Sequence, residues 1–180
     1  RQISLNSHDR HGNMRFYPHA SANFVTREEP CFYERNAIDG VVNNQGHGAY
    51  PYHSWAGGAR NDLEWWLDFG RDVEIDKLVF FLRADFKHDQ NGVPHDSYWK
   101  SIDIEFSDGE VIHGEFTLDG SDLNPKNSEG VAIEFEKKVT RTIHLFNFTQ
   151  VTEKLSFAAL TQLQAFGTYI KEDLSKMEVR

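Results

Sequence analysis

Apolar and polar residues alternate along most of this chain. Ser101-Ile102-Asp103-Ile104-Glu105-Phe106 puts Ile102, Ile104 and Phe106 on one face, the period-two pattern of a half-buried strand. Ser107-Asp108-Gly109-Glu110 supplies a turn, and Val111 to Leu118 reads as the returning strand. Val131, Ile133 and Phe135 repeat the alternation with all three inward, and Thr142 to Phe148 places Ile143 and Leu145 on one face. Glu64 to Phe69 and Lys77 to Arg83 read as two more strands joined through a turn containing Gly70; Leu160 to Phe166 closes the series. Polar loops run from Gly120 to Gly130 and from Asp89 to Pro94. Many strands separated by turns predict an all-β sandwich.

Composition narrows the function classes. A chain of 180 residues suits one domain, and 39% hydrophobic with 26% charged residues fits neither a disordered tail nor a membrane protein. The net charge of −9 repels phosphate backbones, so nucleic acid is not expected as a partner. Membrane insertion is not expected either, because no stretch approaches the roughly 20 apolar residues of a spanning helix. The one cysteine, Cys31, excludes an internal disulfide framework and a Cys-based zinc cage.

The chain opens Arg1-Gln2-Ile3 without an apolar signal region, so a secretory segment is expected to be absent or already removed. Residues 168–180 change character, with Glu172 and Lys176 spaced for a short exposed helix. They read as a tail or a linker to another module, beyond a domain spanning residues 1–167.

Three segments carry a family signal. They are Asn36-Ala37-Ile38-Asp39-Gly40 with Ser54-Trp55 after it; Glu64-Trp65-Trp66-Leu67-Asp68-Phe69-Gly70-Arg71; and Ala159-Leu160-Thr161-Gln162-Leu163-Gln164-Ala165-Phe166-Gly167. Together they resemble the coagulation factor V/VIII type C, or discoidin-like, domain over about residues 20 to 167. The resemblance implies a jelly-roll β-sandwich of about eight main antiparallel strands, the galactose-binding-like fold. It also implies binding of glycans or lipid headgroups through loops at one end. Bacterial members are carbohydrate-binding modules attached to glycan-degrading enzymes. An extracellular or cell-surface location follows from this, with the cytoplasm as the alternative.

The same resemblance implies a structural calcium. Carried over residue by residue, its ligands are Asp39, the carbonyl of Asn36, Asn44 at the hydroxyl position and Gln162 at the usual Glu position. Oxygen donors on a Gly-containing turn suit calcium chemistry. Gln162 drops a charge, and an insertion, Gln45 to His53, delays the Trp to Trp55. The alternative is that Asp39 caps a tight turn through its own backbone.

Sugar recognition needs a flat aromatic face for the ring and planar polar groups for vicinal hydroxyls. Two loops supply both. One carries Tyr50, Tyr52, His53, Arg60 and Asp62; the other carries Arg83, Asp85, Phe86, His95, Asp96, Tyr98 and Trp99. The expected ligand-binding set is His53, Arg60, Asp62, Arg83, Asp85, His95, Asp96, Tyr98 and Trp99. Some of these aromatic and charged residues have structural alternatives: Trp55 reads as core, Trp99 as core or platform, and Arg83 with Asp85 as an internal pair or a ligand clamp. Arg141 reads as an anchor of the sandwich. Arg60, Arg83 and Lys100 would form a local basic cluster able to take one uronate or sulfate. A zinc site from His47, His53 and His95 lacks tight ligand spacing.

No nucleophile elbow, P-loop or dinucleotide fingerprint is present. The first expectation is therefore a noncatalytic glycan-binding module, with other modules of a larger protein as its expected partners. A small polysaccharide hydrolase or lyase would draw on Asp62, Asp85 and Asp96, or on His53 or His95 with Tyr98. An adhesion module would expose Tyr50, Tyr52 and Phe86 to a protein partner.

Overall fold

The structure is a computed structural model that describes residues 1–13, 15–42, 50–83, 97–116 and 130–171. Seven strands occur among the described residues: β1 His19–Ala22, β2 Trp55–Ala56, β3 Trp65–Leu82, β4 Trp99–Phe106, β5 Val111–Glu115, β6 Val131–Gln150 and β7 Ala159–Tyr169. All pair antiparallel, in the order β2-β7-β3-β6-β4-β5 with β1 on the free side of β3.

Two strands are longer than alternation suggests. The segments Glu64 to Phe69 and Lys77 to Arg83 form one strand, β3, and the two apolar runs of β6 are likewise continuous. The reason lies at Gly70, which takes φ 72° and breaks the register between Asp68 and Val73 without ending the ladder. Before the break, β3 is flanked by β1 and β6; after it, by β7 and β6. The ribbon thus folds over on itself into two layers, the sandwich expected from the strand pattern. Arg141 fastens this corner as expected, donating from Nη2 to the Gly70 carbonyl at 2.9 Å.

The core fills the space between the layers. Ile102, Ile104, Phe106, Ile143 and Leu145 are buried, as their alternation requires, and share one cluster with Trp55, Trp65, Leu78, Phe80 and Leu163. Val131, Ile133 and Phe135 are half-buried, packing against the margin of this core. Trp55 on β2 meets Trp99 of β4 at 5.8 Å and Phe148 of β6 at 5.7 Å between ring centroids, tying the two layers at one end. Of residues 168–180, expected as a tail or linker, the first two belong to β7, which reaches Tyr169, and residues 172–180 lie outside the described residues. No described helix is long and apolar enough to cross a membrane.

Candidate functional site

The strand registers decide which connections share an end. Ala56 pairs with Ala159 and Leu82 with Leu160, so the turn after β2 and the segment after β3 both leave beside the start of β7. Trp99 pairs with Gln150, Val151 donates to the Tyr98 carbonyl at 3.1 Å, and the Ser97 and Thr152 hydroxyls bond at 2.8 Å. With Trp55 touching Trp99 and Phe148, the anchors of the two expected loops stand at one rim.

At that rim Arg60 and Asp62 form a two-pronged pair, Nε to Oδ1 at 2.8 Å and Nη2 to Oδ2 at 2.6 Å. The Arg60 hydrogen bond holds the Asp62 carboxyl below the usual carboxylate range. The guanidinium also lies 4.5 Å over the Phe24 ring, and Asn23 donates to the Asp62 carbonyl at 2.6 Å. The planar groups of Arg60 and Asp62 are thereby matched to each other. Among the expected aromatics, Tyr50 is 85% exposed and meets Tyr52 edge-on at 5.6 Å, with half-buried His53 next in the chain.

Other expected ligand residues are placed differently. Trp99 is 1% exposed, with its ring against Phe148 at 4.6 Å, so it belongs to the core and offers no open platform. Its indole N–H is buried without an acceptor among the described residues. Tyr98, expected to point away from Trp99, precedes β4 and is also buried. Arg83 is 4% exposed and its amide is tied to the Ala159 carbonyl at 2.8 Å. With Arg60 paired and Arg83 buried, Arg60, Arg83 and Lys100 do not form a free basic cluster. Asp85, Phe86, His95 and Asp96 lie outside the described residues, as do His47 and Asn44.

The rim also holds a groove that sequence reasoning passed over. It is open, of about 630 Å³, and runs from Asn61 across Lys100, Asp103 and His113 to the segment from Asn147 to Leu155. Its polar centre is Asp103. Desolvation raises that carboxyl, but hydrogen bonds from Asn147 and His113 and the His113 charge outweigh it and bring it below its ordinary value. Asn147 Nδ2 donates to Oδ2 at 2.7 Å and His113 Nδ1 sits 2.7 Å from Oδ1. Backbone geometry sets this up. Between Ser101–Thr149 and Asp103–Phe146 the register slips, and Asn147 takes φ 50° in the extra length of β6. Asn tolerates that left-handed conformation better than most residues. The only signal in the sequence was Asn between two phenylalanines in an otherwise alternating strand. The far wall is closed by Gln150, whose amide bonds Ser156 twice, Nε2 to the carbonyl at 2.8 Å and Oε1 from the amide at 2.9 Å. Leu155, 37% exposed, adds apolar surface to this wall, with the buried Phe148 beneath it.

Two of the residues expected around calcium, Asp39 and Gln162, hydrogen-bond the same turn. Gln162 reaches across from β7, its Oε1 accepting from the Gly40 amide at 3.1 Å. Asp39 Oδ1 accepts from the Val41 amide at 2.8 Å, the turn-capping arrangement. Burial pushes the Asp39 carboxyl up to about 6. A carboxylate oxygen and an amide oxygen thus each hold an amide of the same short turn, and oxygen donors of this kind fit a hard cation. Asn36 spends its side-chain amide on the Pro30 and Ser54 carbonyls at 3.1 and 3.2 Å, which leaves its backbone carbonyl as the donor to consider. No group of three or more His, Cys, Asp or Glu able to hold a metal occurs among the described residues.

No protein-family model and no curated protein sequence matches this chain. Solved structures do. Chitosan-binding module 1 of a chitosanase/glucanase from Paenibacillus sp. IK-5 superposes with TM-score 0.56 at 13% identity, over 93% of this chain and 99% of that one. A fucose-binding module of Streptococcus pneumoniae gives TM-score 0.56 at 15% identity, over 94% and 99%. The family 32 carbohydrate-binding module of NanJ from C. perfringens, in complex with galactose, gives TM-score 0.53 at 14% identity, over 81% and 90%. These likenesses establish the fold, that of the galactose-binding-like β-sandwich modules, over nearly the whole of each matched chain.

Proposed function

We propose that this chain is a noncatalytic carbohydrate-binding module that takes a glycan into the rim groove. The observation that carries the reading is the Asp103–His113–Asn147 network, held in that open groove at the loop end of the sandwich. The network offers fixed, planar hydrogen-bonding groups of the kind that grip vicinal hydroxyls. Lys100 and the Gln150 wall supply further polar contacts, and exposed Leu155 meets the apolar side of a ring. The fold is shared with modules whose names record chitosan, fucose and galactose as ligands, which supports a sugar over a protein partner. An extracellular or cell-surface setting, as one module of a larger glycan-active protein, accords with that company.

The chemistry of the described residues supports binding without turnover. Asp62 is exposed and paired to Arg60, and Tyr98 is buried. Neither is placed as the acid or base that a hydrolase or lyase would need.

A glycan array followed by calorimetry tests the reading. His113→Ala and Asn147→Gly should each weaken the best ligand by about tenfold, the loss of one good hydrogen bond to a charged network. Asn147→Gly keeps the left-handed backbone and removes only the amide. Silence across plant, host and microbial glycans, or undiminished binding by both variants, would count against it.

A structural calcium on the Asp39 turn is part of the same proposal. Asp39, the Asn36 carbonyl and Gln162 would hold it, with Asn44 as the remaining candidate, and the ion would pin the turn without entering chemistry. Millimolar calcium should raise the melting temperature of the wild-type chain relative to a chelator. Asp39→Ala and Gln162→Ala should abolish the difference. Identical melting with and without calcium would leave Asp39 as a turn cap alone.

A further inference from the structure

On the flank of the sandwich, away from the groove residues, the N-terminal segment and the 3-10 turn Glu34–Ala37 enclose a second hollow of about 460 Å³. Its walls include Arg10, Arg35, His8, His11, Phe16 and Tyr33. This is a concentration of basic groups on a chain whose net charge is −9.

The hollow is built. Asn6 ties the segment to the body, its amide to the Ile38 carbonyl at 2.8 Å and its side chain to the Pro18 carbonyl at 2.9 Å. The two carboxylates nearby are committed inward. Asp9, 2% exposed, accepts from the Arg10 and Ala20 amides at 2.9 and 2.8 Å and faces buried His19 Nδ1 at 2.7 Å. Glu34, also 2% exposed, holds both oxygens on His11 Nδ1, at 2.8 and 3.0 Å. That fixes the His11 ring flat against Tyr33, centroids 3.9 Å apart and planes 8° from parallel.

The guanidiniums are the opposite case. Arg10 lies 5.7 Å over the ring of Phe16, which is 41% exposed, and Arg35 is half-buried. Among the described residues neither makes an ion pair, although the Arg35 charge also acts on the Asp39 carboxyl. An exposed guanidinium and a half-buried one, beside an open aromatic ring, match a planar or tetrahedral oxyanion attached to a ring with an apolar face. The volume lies within the range of small-ligand sites, about 300–1,000 Å³.

We propose that this hollow is a second binding site, specific for a sugar bearing an oxyanion, a carboxylate or a sulfate, which Arg10 and Arg35 hold while Phe16 covers its ring. The sugar identity of the ligand rests on the glycan-binding reading; the anion selectivity does not.

The test is a ¹H–¹⁵N NMR titration of the full chain with four probes: a galacturonate tetrasaccharide, a chondroitin sulfate tetrasaccharide, a neutral galactose tetrasaccharide and inorganic sulfate. One or both anionic oligosaccharides should shift the amides of Arg10, His11, Phe16 and Tyr33. Which of them does so identifies the oxyanion. Arg10→Gln and Arg35→Gln should each weaken that binding about tenfold, with salt doing the same, while melting temperatures stay as in wild type. Four results would overturn the proposal: no shift at these amides with either anionic probe; equal shifts with the neutral probe; inorganic sulfate binding as tightly as the sugars, an adventitious ion only; or glutamine variants that bind as wild type. Shifts confined to Lys100, His113 and Asn147 would overturn it too, while leaving the groove reading intact.

Discussion

Asp39 shows how one residue couples local geometry to stability. Its carboxyl caps the turn through the Val41 amide and is raised from 3.8 to about 6, chiefly by burial. A carboxyl raised in the folded state favours folding while protonated. Its contribution is fully present below about pH 4, where the unfolded chain is protonated as well. It is lost as pH rises through about 6, because the folded chain alone must then bear a desolvated charge. Urea unfolding in chelator should therefore show stability falling by about 1–3 kcal/mol between pH 4 and 7. Asp39→Asn should flatten that slope; a slope unchanged in the variant would assign it elsewhere. The turn itself was legible from the Asp39-Gly40 motif, and the family resemblance singled out Gln162 on the last strand, whose Oε1 accepts from the neighbouring Gly40 amide. The Asp103–His113–Asn147 network was not. It depends on a bulge that turns Asn147 out of register, and alternation carries no information about where a ladder slips.

At the scale of elements, β3 and β6 do most of the organising. Each serves both layers, and the fold-over at Gly70 lets one strand pair with β1 at its start and β7 at its end. Sequence pattern found the apolar faces of these strands and mistook the fold-over for a turn, because a glycine between two alternating runs looks the same in either case. Gly167 closes the final motif for a concrete reason. A Cβ there would run into the Glu74 carbonyl oxygen, where β7 lies against β3. Gly167→Ala should cost about 2–4 kcal/mol and lower the melting temperature, since the obstacle is backbone that cannot rotate away. A melting temperature equal to wild type would mean that β7 is free to move off β3. The core tryptophans follow the same logic. Trp55 and Trp99 tie the layers at the loop end, and this role withdraws Trp99 from the ligand.

For the whole molecule, the fold was legible because a sandwich is dictated by alternation plus turns, and the three motif segments sit where the strands need them. The candidate site was legible only as a location. Sequence indicated the loop end, and strand register brings the anchors of the two loops together there. The individual residues were harder, because a side chain suited to a sugar is equally suited to its neighbour: Arg60 meets Asp62, and Arg83 is buried. A site made of strand faces across a bulge, not of loop tips alone, is what remains open. The most direct measurement is a ¹H–¹⁵N titration with the oligosaccharide that an array selects. The account predicts saturable shifts centred on Lys100, Asp103, His113, Asn147 and Gln150. Saturable shifts centred on the opposite corner, around Gly70 and Arg141, would contradict it.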